Sequence, residues 1–372
     1  MRFAAPIAAY LSLAVPAIAR DFSLDLPVQC TLGETCFVQQ YVDHDPSKAA
    51  RDFTCGTLSY DGHKGTDFGL TSLKAMRQGI NALSAAPGRV LGLRDGMPDT
   101  GYSAQTAATI AGQECGNGVV IDHGNGWQTQ YCHLKKGSVR VRKGETIPAG
   151  TVLGQIGLSG KTQFPHLHLS VRKDGKVVDP FNPDGEIACD TAPKDTLWTT
   201  PIPYATTGIL NIGFSPNIPS FDKIKDGTAP KRISPEDEAL VLWVYAFGAR
   251  PKDKLQLWID GPGGRLLQKV LTLEKTQAQY FRAVGKRRPA KGFDPGMYQG
   301  EIILVRDGQV QASQRIEMEL RSLLLGQFQF DPTVLRPCLC RVRRVDRLVL
   351  TKAIGTKPVR GQPKETNHVT DH

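Results

Sequence analysis

Five side chains in three short clusters could do chemistry together: His63 and Asp67, then His133, then His166 and His168. The run His63-Lys-Gly-Thr-Asp67 sets an imidazole and a carboxylate four positions apart, and His166-Leu-His168 sets two imidazoles two apart. On a strand, positions two apart share a face. Imidazole nitrogen and carboxylate oxygen are both zinc ligands, and a catalytic zinc site leaves one position open for water. Three of these five side chains can hold a metal and two remain to handle protons, which outlines a hydrolase. Two imidazoles and one carboxylate would leave a divalent ion with net positive charge, so it stays a good Lewis acid.

Such residues need strands to deliver them and turns to bend them to one point. Residues 51–185 read as short strands between glycine-rich turns. Thr66–Leu70 starts a strand, and the glycine between His63 and Asp67 lets a tight bend bring both to one place. Val119–Asp122 and Gln128–Leu134 flank His123-Gly-Asn-Gly126, and Asn-Gly is a strong hairpin signal. His133 ends the second of these strands, where it could accept a proton or donate to an oxyanion. Val152–Ile156 and His166–Arg172 are the last two strands, so His166 and His168 emerge on one side of a sheet. Only one of that pair need bind metal; the other then lies near the reacting water or carbonyl. A helix is expected over Ser72–Leu83. Residues 94–118 form a polar, Gly-rich insertion of the length found in functional or mobile loops. His44, between acids and beside a proline, reads as a solvated turn residue, and His123, before a tight turn, as structural.

The chain has 372 residues, room for two domains with real cores. Residues 1–19 read as a signal peptide, with Arg2, an apolar stretch from Phe3 to Val15 and the small-x-small site Ala17-Ile18-Ala19. That stretch falls short of the ~20 residues a spanning helix needs. No later segment is long and apolar enough to span, so no integral membrane segment is expected after signal removal, and the mature protein is expected to be periplasmic or secreted. Eight cysteines in an exported chain favour disulfides. Cys30 and Cys36 close a small loop, Cys115 and Cys132 lie on neighbouring strands, and the other pairings stay open. No C-x-x-C pair supports a cysteine zinc site. Net charge is +10, with ten Lys/Arg against four Asp/Glu from Arg321 to His372. Such a balance suits nucleic acid or another anionic polymer, a bacterial cell wall included. Export, and the lack of a basic helix with interleaved aromatics, argue against nucleic acid.

Along the chain, residues 20–50 read as an irregular lead-in with the small cysteine loop, 51–190 as the unit carrying the histidine clusters, and 191–235 as a Pro-rich linker. Residues 236–321 hold a second strand series: Leu240–Phe247, Lys254–Asp260, Arg265–Leu273, Ala278–Ala283, Gly296–Val305 and Gln309–Leu320. Six strands at short spacing suggest a β-sandwich. Residues 322–372 read as a disordered basic tail.

The order H-x-x-x-D, then Tyr-x-His-Leu, then Gly-x-Ser-Gly followed by Pro-His-Leu-His resembles the lysostaphin/LytM-type zinc endopeptidases of bacterial cell walls. The matching stretches include Gly62–Phe68, Gly118–Gly126, Tyr131–Leu134, Gly154–Gly157 and Gly160–Leu169, and Asp179-Pro180 closes a region of about residues 55–185. The resemblance implies one zinc ion held by His63, Asp67 and His168, with His133 and His166 as the catalytic pair. It implies a small β-sheet metallopeptidase domain with an active-site groove; with the β-sandwich-like domain that the strand series suggests after it, the fold is expected to be mainly β. It also implies an exported zinc metalloendopeptidase whose partner is peptidoglycan. Two departures from the family pattern would line the groove and bear on cleavage preference: the longer 94–118 insertion, and Lys161-Thr-Gln-Phe164 in place of small polar residues and glycine. The alternatives are a non-catalytic regulator of a cell-wall amidase using the same fold, and a wall-binding scaffold acting through the C-terminal β unit. Oligomeric state is not readable from the sequence.

Overall fold

The structure, a computed structural model, describes residues 22–187, 189 and 195–321. The expected signal peptide and basic tail lie outside the described residues. The protein is mainly β. In the first half the elements are β1 (Cys36–Gln40), β2 (Thr66–Leu70), α1 (Leu73–Gln78), β3 (Asn81–Leu83), β4 (Gly88–Arg94), α2 (Ala107–Ile110), β5 (Asn117–Gly124), β6 (Trp127–Leu134), β7 (Thr146–Ile147), β8 (Val152–Gln155), β9 (His166–Lys173) and β10 (Lys176–Val178). The second half holds β11 (Gly208–Ser215), α3 (Phe221–Asp226), β12 (Ala239–Ala249), β13 (Lys254–Gly261), β14 (Gly264–Thr272), β15 (Gln277–Arg287), β16 (Gly296–Arg306) and β17 (Gln309–Leu320).

One eight-stranded sheet in the order β1-β2-β9-β6-β5-β4-β7, with β10 paired to β9, carries the histidine clusters. Its pairings are antiparallel, and the alternation of side chains explains its two faces. Leu167, Leu169 and Val171 of β9 are fully buried on one face, with Phe68, Leu70, Val119, Ile121 and Tyr131 in the same core. Burying a large apolar side chain contributes about 1.5–3 kcal/mol, so a one-residue slip of β9 would expose this set and is strongly disfavoured. His166, His168 and Ser170 alternate with it and face the other way.

Three segments differ from the sequence expectation. The lead-in is not irregular throughout: Cys36–Gln40 forms the edge strand β1, and Phe22, Leu24 and Val28 join the core of the large sheet. The helix expected over Ser72–Leu83 stops at Gln78, because Gly79 takes a left-handed φ of 87° and its N–H returns to Met76. The chain then enters β3, which pairs with β8. The segment expected as a Pro-rich linker holds β11, paired along its length with β12, and α3, capped by Ser220 Oγ and closed by Gly227.

Two further sheets, β11-β12-β15 and β14-β13-β16-β17, share one core: Phe214, Leu242 and Val244 from the first meet Leu257, Ile302 and Leu304 from the second. This is the sandwich that the strand series suggested. Phe37 of β1 is buried in a separate cluster with Trp243, Tyr245 and Phe247 of β12, and stacks on Phe247 at 4.7 Å. Arg77 makes two hydrogen bonds to the Asp226 carboxylate, at 2.7 and 3.0 Å. Disulfides join Cys30 to Cys36 and Cys115 to Cys132, as expected, and Cys55 to Cys189, which spacing could not indicate across 134 residues.

Candidate metal centre and active site

Strand pairing places the candidate residues in rows across the open face of the large sheet. Asp67 lies opposite His168 on β2–β9, and Cys132 lies opposite His168 on β6–β9. His166 lies opposite Gly69, which faces Phe37 on β1. His63 reaches the same place from the turn before β2. Its N–H bonds to the Tyr60 carbonyl at 2.9 Å, and the Tyr60 ring stacks on its imidazole at 4.3 Å. The bend passes so close to β9 that a Cβ on Gly65 would lie 2.6 Å from His168 Nε2 and 2.6 Å from the Leu169 carbonyl. Only glycine leaves that space.

His133 is aimed by a β-bulge. Asn117 of β5 faces Leu134 and Val119 faces Tyr131, so Cys132 and His133 together oppose a single residue. His133 takes a left-handed φ of 64°. Strict alternation would have sent His133 toward the core with Tyr131. The extra residue puts Tyr131 and Leu134 in the core and turns His133 out to the site. The Cys115–Cys132 disulfide and the bond from His133 N–H to the Cys115 carbonyl, 2.8 Å, secure the bulge.

All five sequence-selected residues converge. His63 Nε2, Asp67 Oδ1 and His168 Nδ1 form a triangle with edges of 3.1, 3.2 and 2.8 Å. Ligands about 2.0–2.1 Å from a tetrahedral zinc stand about 3.3 Å apart, so the triangle has nearly the size a bound ion requires. His166 Nε2 lies 3.5 Å from Asp67 Oδ1, and the His133 ring stands edge-on to His166 at 4.7 Å.

Backbone carbonyls set the proton positions. His63 Nδ1 is 2.6 Å from the Tyr41 carbonyl, His133 Nδ1 is 2.8 Å from that of Ser159, and His166 Nδ1 is 2.9 Å from that of Phe164. A carbonyl only accepts, so each Nδ1 carries hydrogen and each neutral ring keeps its Nε2 lone pair for the site. His168 is reversed: Nε2 meets Ser170 Oγ at 3.0 Å and Nδ1 faces the triangle. With the His168 hydrogen on Nε2, where the Ser170 hydroxyl can accept it, three lone pairs point at one spot, a donor set that fits a cation.

The same contacts set the charges. Burial alone would raise the Asp67 pKa, but His166, His63 and His168 together hold its carboxyl well below the usual range. Burial, then the neighbouring His166 and His168, keep His133 well below an ordinary imidazole. Burial also lowers His168 despite Asp67. For His63 burial acts downward, but Asp67 and the Tyr41 carbonyl outweigh it and the pKa rises.

Sequence reasoning missed the supporting groups. Ser170 was findable, since it continues the period of two from His168. The Tyr41, Ser159 and Phe164 carbonyls carry no side-chain signal. Thr162, which donates to the Phe164 carbonyl at 2.7 Å and lies 3.1 Å from His166 Nδ1, was visible only as a departure from the family pattern. His44 is not a solvated turn residue: its Nε2 is 2.8 Å from the buried Asp179, whose pKa burial raises. His123 is structural, bridging the Pro87 carbonyl and Thr129 Oγ1 at 2.7 Å each.

The 94–118 insertion is pinned to the site. Asp99 accepts from the N–H groups of Lys136 and Leu158 at 3.0 and 2.8 Å, and Tyr102 N–H bonds to the Thr162 carbonyl at 2.7 Å.

Comparison with protein families matches residues 61–180 to Peptidase family M23. The chain is 35% identical over 80 residues to the peptidoglycan DD-endopeptidase ShyA of Vibrio cholerae, covering 22% of this chain and 18% of that protein. It is 36% identical over 82 residues to the DD-carboxypeptidase/endopeptidase Mpg of Neisseria meningitidis, covering 22% and 18%. The chain thus spans about a fifth of the length of these curated relatives. Among solved structures, the catalytic domain of lysostaphin from Staphylococcus simulans is similar at 21% identity and a TM-score of 0.23, over 32% of this chain and 77% of that one. All five converging side chains lie within residues 61–180, the stretch that matches Peptidase family M23.

Proposed function

We propose that this protein is an exported zinc metalloendopeptidase that hydrolyses peptide bonds in bacterial peptidoglycan. The observation that carries this reading is the convergence of His63 Nε2, Asp67 Oδ1 and His168 Nδ1, with edges of 3.1, 3.2 and 2.8 Å. These three residues would hold one zinc ion. Bound there, zinc supplies Lewis-acid polarisation of a carbonyl and lowers the pKa of water toward about 7.

The chain's own residues do the rest. Asp67 brings the one negative charge of the set. His133 and His166, anchored through Nδ1 by the Ser159 and Phe164 carbonyls, present Nε2 to the substrate side. From there the Nε2 lone pair of one imidazole takes a proton, and the imidazolium so formed can donate that Nε2–H to the oxygen on which charge develops, while the neutral ring presents only a lone pair. Edge-on packing of the two rings and the Phe164 loop keep both oriented, so little reorganisation is needed during reaction.

Disulfides and the names of the relatives support an extracytoplasmic location, periplasmic or secreted. The regulator alternative is disfavoured because none of the five polar positions is replaced. Purified sacculi incubated with the mature protein, with and without chelator, test the proposal. Chelator-sensitive release of peptides newly cut at one bond type, read by mass spectrometry, is the expected result. Sacculi left intact by the zinc-loaded protein would refute it.

A further inference from the structure

Past His166, the open face of the large sheet continues into a cavity of about 630 Å³. Its floor is β1. Gly69 keeps this floor low, since a Cβ there would lie 2.9 Å from Gln39 Oε1 and from the Phe37 ring. The side-chain carbonyls of Gln39 and Gln40 are buried at this floor without a protein donor.

The two walls come from different parts of the chain. Tyr102 of the 94–118 insertion, with Lys161 and Phe164, makes one wall; Phe221 and Lys225 of α3 and Gln279 of β15 make the other. The charged residues of the lining are Asp67, at the metal end, and the two lysines. Lys161 extends over the Tyr102 ring at 5.8 Å, and Lys225 over the Phe221 ring at 4.9 Å. Lys225 also lies 3.1 Å from Asp222, whose side chain is 92% exposed. That pair faces water and neutralises the ammonium only weakly.

We propose that this cavity is a substrate subsite for a carboxylate-bearing peptide branch, built jointly by the peptidase domain and the second β unit. Lys161 and Lys225 supply the counter-charges. The aromatic walls cover the branch's methylenes. The inference rests on the peptidase reading of the adjoining site. It gives the second β unit a direct part in choosing substrate.

The test uses the zinc-loaded mature protein and two synthetic cross-linked peptidoglycan peptides, identical except that the branch carboxylate is free in one and amidated in the other. Wild type is expected to prefer the free acid by about fivefold or more in kcat/KM, expressed in KM and weakened by salt. Lys161→Gln with Lys225→Gln should bring the ratio close to one, each single variant should fall between, and Lys225→Arg should keep the preference. Thermal melts establish that the variants are folded, and the single variants carry the test should the double variant be unstable. Chelator-sensitive cleavage by wild type with no preference, or a preference untouched by the lysine variants, overturns the subsite alone. Cleavage of neither peptide overturns the peptidase reading and the subsite with it.

Discussion

Replacing Ser170 with alanine removes one hydroxyl, 3.0 Å from His168 Nε2, and leaves the fold of β9 otherwise unchanged. Ser170 is buried, so water cannot freely take its place. Without it His168 loses the contact that holds its ring with Nδ1 2.8 Å from Asp67 Oδ1 and 3.1 Å from His63 Nε2. Losing such a supporting partner of a metal-bound histidine costs about 10–100-fold in metal affinity, which is about 1.4–2.7 kcal/mol. The hydrogen bond itself contributes about 1 kcal/mol to folding. Two assays separate these effects. Competition against a chromophoric chelator reads zinc affinity, and urea unfolding of the metal-free protein reads stability. Zinc binding is expected to weaken 10–100-fold, with unfolding shifted by about 1 kcal/mol and turnover at saturating zinc largely kept. A folded Ser170→Ala protein with unchanged zinc affinity would refute the reasoning, because it would mean that His168 needs no orientation through Nε2.

Gly65→Ala should place a methyl 2.6 Å from both His168 Nε2 and the Leu169 carbonyl; a loss of about 1–3 kcal/mol, with weaker zinc binding, is expected in melts recorded with and without the metal. Phe247→Ala removes the ring stacked on Phe37 and should cost about 3–5 kcal/mol in chemical unfolding. Asp99→Ala leaves the N–H groups of Lys136 and Leu158 without their acceptor; faster limited proteolysis within residues 94–118 is expected, with the sheet itself intact.

Much of the site was legible because strand periodicity is strict. His166-Leu-His168 had to share a face, and Asp67 at the start of a strand could meet it once β2 paired with β9. The aim of His133 was not legible from alternation. It depends on an extra residue in β6, and bulges leave no reliable local pattern. The Asn-Gly hairpin was clear, whereas β1 was hidden beside the small cysteine loop and β11 by proline-rich flanks. Gly79 was the signal that should have shortened the helix after Ser72. The wall that α3 and β15 give the groove arises from packing between segments over a hundred residues apart, which no window of sequence encodes.

Metal content of the purified protein tests the central claim most directly, measured by inductively coupled plasma mass spectrometry after zinc loading and desalting. Wild type and His133→Ala should each retain close to one zinc per chain, and His168→Ala should retain almost none. Zinc retained in full by His168→Ala, or no zinc held by the folded wild type, would contradict the account.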